Sequence, residues 1–140
     1  MINDSQLLNF VRQNIQMGID GIKLVIDDTV SEDFKAELKN QMEEYDDIYA
    51  KAEDMVEELG VERHDVNAAA KIAAHLSGKM KTMSGSTSKI AESMIQGTTM
   101  GVTKLIKHMN EFNGSDTVLN LAKKLISVEE RNIETLKKYL

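Results

Sequence analysis

The side chains best equipped for metal or acid–base chemistry in this 140-residue chain are three histidines and a dense run of carboxylates. His64 sits among Glu62, Arg63 and Asp65 at the start of a helical pattern, and reads as a solvated residue. His75 falls in an Ala-rich stretch, where an imidazole is more often interfacial than a ligand. His108 and Glu111 form a His-x-x-Glu step near a helix end, where a cation complements the carbonyl-rich terminus. No histidine pair has the i, i+4 spacing of a zinc helix. Residues 31–60 carry eleven acids against Lys35, Lys39 and Lys51, a local charge of −8 within a net charge of −6. Glu43-Glu44 and Asp46-Asp47 lack the spaced oxygens and glycine of a calcium loop, so this run reads as a solvated helix face or a docking face for a basic partner. Ser84-Gly85-Ser86-Thr87-Ser88 is rich in hydroxyls but matches neither a nucleophile elbow nor a phosphate loop, and reads as a connector with a helix cap.

The composition narrows the class further. Cysteine is absent, which removes disulfides and thiolate metal sites. There is no dense basic face, which excludes nucleic-acid binding. There is no apolar run of membrane-spanning length and no basic-apolar leader, so a cytoplasmic protein is expected. Proline and tryptophan are also absent, and the aromatic content is 4%, which suits long helices better than a β-sandwich. The chain length fits one domain spanning residues 1–140.

Apolar spacing and punctuation predict five helices, over about 5–27, 31–59, 65–83, 87–112 and 116–139. Leu7, Leu8, Val11, Ile15, Ile19, Ile22 and Ile26 form the first stripe. Phe34, Leu38, Met42, Tyr45, Tyr49, Ala52, Met55 and Leu59 form the second. Thr29 or Ser31 caps the second helix, and Gly60 ends it. The last stripe is Val118, Leu121, Leu125, Val128, Ile133, Leu136 and Tyr139. Short connections make hairpins of the first two and the last two helices, and the long middle segment can cross from one hairpin to the other. The expected fold is therefore all-α: a four-helix bundle of two antiparallel hairpins with an extra crossover helix, an arrangement of the ferritin-like kind.

An internal repeat supports two similar halves. Ile15-Gln16-Met17-Gly18-Ile19-Asp20-Gly21-Ile22 matches Ile95-Gln96-Gly97-Thr98-Thr99-Met100-Gly101-Val102 in its Ile, Gln and Gly positions. A glycine inside a helix costs roughly 1 kcal/mol relative to alanine, so Gly21 and Gly101, with Gly18 and Gly97 nearby, are expected where helices pass closely. The nine methionines lie mostly on or near the stripes, either as adaptable core filler or as a groove for a peptide or small molecule.

Three stretches carry a family likeness: Leu38-Lys39-Asn40-Gln41-Met42-Glu43-Glu44-Tyr45, Ile90-Ala91-Glu92-Ser93-Met94-Ile95-Gln96-Gly97, and Val128 through Leu140. Through them the chain resembles the ferritin-like superfamily, and within it a rubrerythrin-like, CotF-type spore-coat branch. Active members of that superfamily hold two iron ions with a carboxylate from the first helix of each hairpin and a Glu-x-x-His from the second. Carried over by position, the resemblance puts Gln16 and Gln96 at the first-helix ligand places and Glu129-x-x-Asn132 in the last helix. In the second helix the register is open between Met42-x-x-Tyr45 and Glu44-x-x-Asp47. Neutral amides cannot supply the negative charge that two iron ions require, so the metal site is expected to be degenerate and no cofactor is expected. The resemblance thus implies a non-catalytic structural or interaction protein, with a possible spore-coat association. It would be a homo-oligomer, most simply a dimer, with a Met-rich or acidic helix face for a protein partner. The competing expectation is a di-iron oxidase or peroxidase using Glu44, Asp47, Glu129 and Glu92 in a carboxylate-only site.

Overall fold

The computed structural model describes residues 1–63 and 86–140. The expected helix over 65–83, with His75, and the residues His64, Ser84 and Gly85 lie outside that range. The described residues form an all-α bundle of four helices: α1 (Asp4–Val25), α2 (Glu32–Leu59), α3 (Thr87–Asn110) and α4 (Asp116–Leu136), followed by a 3-10 turn at Lys137–Tyr139.

Each helix begins where a side-chain oxygen can satisfy its free amides. Asn3 accepts from the Gln6 amide, and the Gln6 side chain returns the bond, making a capping box. Ser31, Ser86 and Ser115 cap α2, α3 and α4 in turn. Thr29 does not cap α2; its hydroxyl bends back to donate to the Val25 carbonyl. Gly60 takes the left-handed conformation at φ 60° and ends α2, as its position predicted.

The buried stripes carry the packing. α1 contributes Leu7, Leu8, Val11, Ile15, Ile19 and Ile22, and α2 contributes Phe34, Leu38, Tyr45, Ile48, Ala52 and Val56. The second stripe is therefore rotated from the expected one: Ile48 and Val56 are in the core, Met42, Tyr49 and Met55 flank it, and Leu59 is exposed. A fully buried aliphatic side chain contributes roughly 1.5–3 kcal/mol, so a small rotation changes which methionines matter.

Helix α1 packs against α2 and α3, and α4 packs against α2 and α3, with further contact between α1 and α4 across the centre. The start of the chain is stitched to the α3–α4 turn. Ile2 donates to the Glu111 carbonyl and accepts from the Asn113 amide, and Asp4 accepts from both the amide and hydroxyl of Ser115. One helical turn further in, Phe10 lies flat on His108 with ring centroids 3.6 Å apart. No helix among the described residues is long and apolar enough to cross a membrane.

Candidate functional site

Where the four helices meet, the apolar core is interrupted by a small polar group of residues. Tyr45 of α2 donates its hydroxyl proton to Glu129 Oε2 of α4 at 2.9 Å, in a bond closed to solvent. Glu129 is 2% exposed, as is Asn132 one turn further along α4. The amide of Asn14, from α1, lies beside the Glu129 carboxyl. Three polar atoms here are buried without a partner: Asn14 Oδ1, Glu129 Oε1 and Asn132 Nδ2.

Two glycines make room for this cluster. A Cβ on Gly18 would stand 2.6 Å from the Tyr45 ring, and one on Gly101 would stand 3.1 Å from Asn14 Nδ2. Close approach is therefore the role of Gly18 and Gly101. Gly21 and Gly97, expected to share it, face open space.

Electrostatics in the cluster follow from burial. Removal from water penalises the charged carboxylate and raises Glu129 to about 8, against smaller opposing pulls from the Tyr45 hydroxyl and the Asn14 amide. Burial also pushes the Tyr45 phenol well above its ordinary range, reinforced by Glu129 beside it. At neutral pH the centre therefore holds a neutral acid, a phenol and two amides.

The structure does not bring the other sequence-predicted residues into this site. Gln16 is half-buried and donates to Asp20 on its own helix at 3.0 Å, while Gln96 is exposed. These two amides do not form a facing pair in the core; Asn14 takes the inward place on α1. In α2 the inward register belongs to Tyr45. Glu44 forms an ion pair with Arg131 at the surface, and Asp47 is exposed, as is Glu92. A carboxylate-only di-iron set of Glu44, Asp47, Glu92 and Glu129 is therefore not assembled, because three of its four members face away from the fourth. His108 also departs from the expected cationic role: burial lowers its pKa, with Glu111 opposing and Lys104 adding to the shift, and its ring is stacked on Phe10.

Set against the needs of a di-iron centre, the residues present do not fit. Among the described residues one carboxyl and no histidine face the centre, and its neighbours Asn14, Tyr45 and Asn132 are neutral. Among the described residues no group of three or more His, Cys, Asp or Glu side chains is placed to hold a metal ion. No residue of the described chain is identified as a metal ligand.

A second polar network ties α1 to the end of α2. Arg12 Nε meets Glu53 Oε1 at 2.7 Å, its Nη1 donates to Asn9 Oδ1 at 2.7 Å, and its guanidinium lies 5.9 Å from the centre of the Tyr49 ring. Arg63 reaches Glu53 from the other side, and Asn9 Nδ2 donates to the Glu62 carbonyl. Burial opposes the charge on Arg12, but the bond and charge of Glu53 outweigh it and its pKa rises. Burial works against Glu53 too, and Arg12 and Arg63 together hold its carboxyl below the usual value. This network anchors the first residues beyond α2 to α1.

Asn9, Arg12 and Gln41 are buried polar residues that sequence reasoning passed over, as is the half-buried Asn14, whose amide oxygen is closed to solvent. The signal that could have found Asn14 and Gln41 is the stripe itself. Asn14 and Gly18 continue the 4-3-4 spacing of Leu7, Val11, Asn14 and Gly18, and Gln41 continues that of Phe34, Leu38, Gln41, Tyr45 and Ile48. No protein-family model, curated protein or solved structure matches this chain.

Proposed function

We propose that this chain is a non-catalytic structural or interaction protein, built on a ferritin-like bundle whose metal site has been replaced by a neutral polar core. The observation that carries the reading is the isolation of Glu129. It is the single carboxyl among the buried residues of the described chain, and it faces a phenol and amides instead of other charges. A redox metal centre needs clustered anionic oxygens and imidazoles, and a hydrolytic site needs a base within reach of a nucleophile or water.

The ferritin-like frame is supported by the order of contacts between helices. Phe10 meets His108 while Asn14 meets Gly101, so α1 and α3 run in opposite senses. Tyr45 meets Glu129 while Phe34 meets Tyr139, so α2 and α4 do as well. The end of α2 and the start of α3 then lie at opposite ends of the bundle, as a crossover between two antiparallel hairpins requires.

In this reading the surface carries the function. Helix α2 exposes Glu43, Asp46, Asp47, Asp54, Glu57 and Glu58, and α3 exposes Met100 at 72%. Self-association as a dimer, and a spore-coat setting, belong to the same proposal through the family resemblance. Elemental analysis and a visible absorption scan of protein from iron-supplemented cells test it, with light scattering for the oligomeric state. The expected result is a colourless protein with iron far below one ion per chain; near-stoichiometric iron overturns the reading.

A further inference from the structure

We infer that a proton closes the centre of the bundle: Glu129 sits there as the neutral acid, and the packing of α1, α2 and α4 loosens when that proton leaves. The geometry asks for it. Tyr45 has one hydroxyl proton, and it is committed to Oε2. Oε1 is then a buried oxygen without a hydrogen-bond partner. An ionised carboxylate would leave a charged oxygen unsatisfied in the core, which costs more than leaving a neutral one so. A proton on the carboxyl removes that charge.

Among the described residues no charged group facing the carboxyl offers an alternative. From α1 come Asn14 and Gly18, and the one buried cation on that helix, Arg12, is committed to Glu53. From α2 comes Tyr45, with Glu44 turned outward to Arg131. From α3 comes Gly101 against Asn14, while Lys104 is exposed. On α4 itself Asn132 lies one turn away, with Glu130 and Arg131 exposed. Burial dominates the balance at Glu129 and raises it to about 8, in keeping with the same protonation state. Losing the proton would require the Asn14 amide to close on Oε1, or Asn132 Nδ2, which has no partner of its own, to reach it. Either movement disturbs the contact between α1 and α4. This inference stands on the hydrogen-bond inventory of the core and holds whether or not the ferritin-like reading does.

Carbon-13 NMR of protein labelled at the glutamate carboxyls tests it directly. One resonance should stay unshifted while the other glutamates titrate, move with a midpoint near 8, and vanish in Glu129→Gln. In Tyr45→Phe the midpoint should move higher still, because the lost hydroxyl favoured the ionised form; that variant also identifies the resonance if Glu129→Gln fails to fold. A Glu129 midpoint below 6.5 overturns the inference, and one above it upholds it.

Discussion

Replacing Glu129 by glutamine isolates the energetic consequence of the buried acid. Glutamine has nearly the shape of the neutral carboxyl, and its carbonyl can accept from Tyr45. The parent carboxyl moves from an ordinary value of 4.5 in the unfolded chain to about 8 in the folded one. A raised acid binds its proton more tightly when folded, so its contribution is fully favourable below 4.5 and declines as pH rises through the folded value. Each pH unit inside that window removes about 1.4 kcal/mol, so the parent should lose about 3.5 kcal/mol relative to Glu129→Gln between pH 5 and pH 8. The assay is urea unfolding of both proteins at several pH values, with the difference in unfolding free energy plotted against pH. Every other titrating group is common to the two proteins and cancels in that difference. A difference that changes by less than about 1 kcal/mol over this range would refute the reasoning, because it would mean a carboxylate charged in both states.

Three other outcomes follow from named contacts. Gly18→Ala should destabilise the fold by about 1–3 kcal/mol in denaturant melts, since its methyl would press on the Tyr45 ring, whereas Gly21→Ala, which faces open space, should gain about 0.5–1 kcal/mol from helix propensity alone. Glu53→Gln should cost about 1–3 kcal/mol at neutral pH. Because Glu53 is held below its ordinary value, that cost should shrink as pH falls below about 4.5 and the parent carboxylate takes up its own proton. Gln16→Glu combined with Gln96→Glu should not create iron binding, as measured by elemental analysis, because Gln96 is exposed and the two new carboxylates would not face a common centre.

Much of the fold can be read from residue spacing, and the site much less. Ser31, Gly60 and Ser115 punctuate the helices where capping chemistry requires, so those boundaries fall within a residue or two of expectation. The α1 and α4 stripes are likewise read from three- and four-residue steps. On α2, Met42, Tyr49 and Met55 compete with Ile48 and Val56 for the inward face, and only packing against neighbours decides between two adjacent stripes. The site was harder because family likeness and the internal repeat both pointed to Gln16. Residues 14 and 16 are separated by two helical steps of about 100°, which puts them on nearly opposite faces of α1. The repeat therefore drew attention to an outer amide while the inner one, Asn14, carried no family signal.

The same polar residues have a structural consequence that an apolar core would lack. Asn14 beside Glu129, Tyr45 bonded to Glu129 and Gly101 against Asn14 lie at one level of the bundle, with Asn132 one turn along α4. Above and below, Gln41 apart, most facing positions are aliphatic, and aliphatic layers are nearly interchangeable when one helix slides by a turn. The polar layer is not. Sliding α4 by one turn would move Glu129 away from Tyr45 and Asn14 and break the buried bond to the Tyr45 hydroxyl. Buried polar groups in helical assemblies set register in this way while lowering stability. The protonated carboxyl offers the same specificity at a smaller electrostatic penalty than a charge would carry, and it ties that specificity to pH.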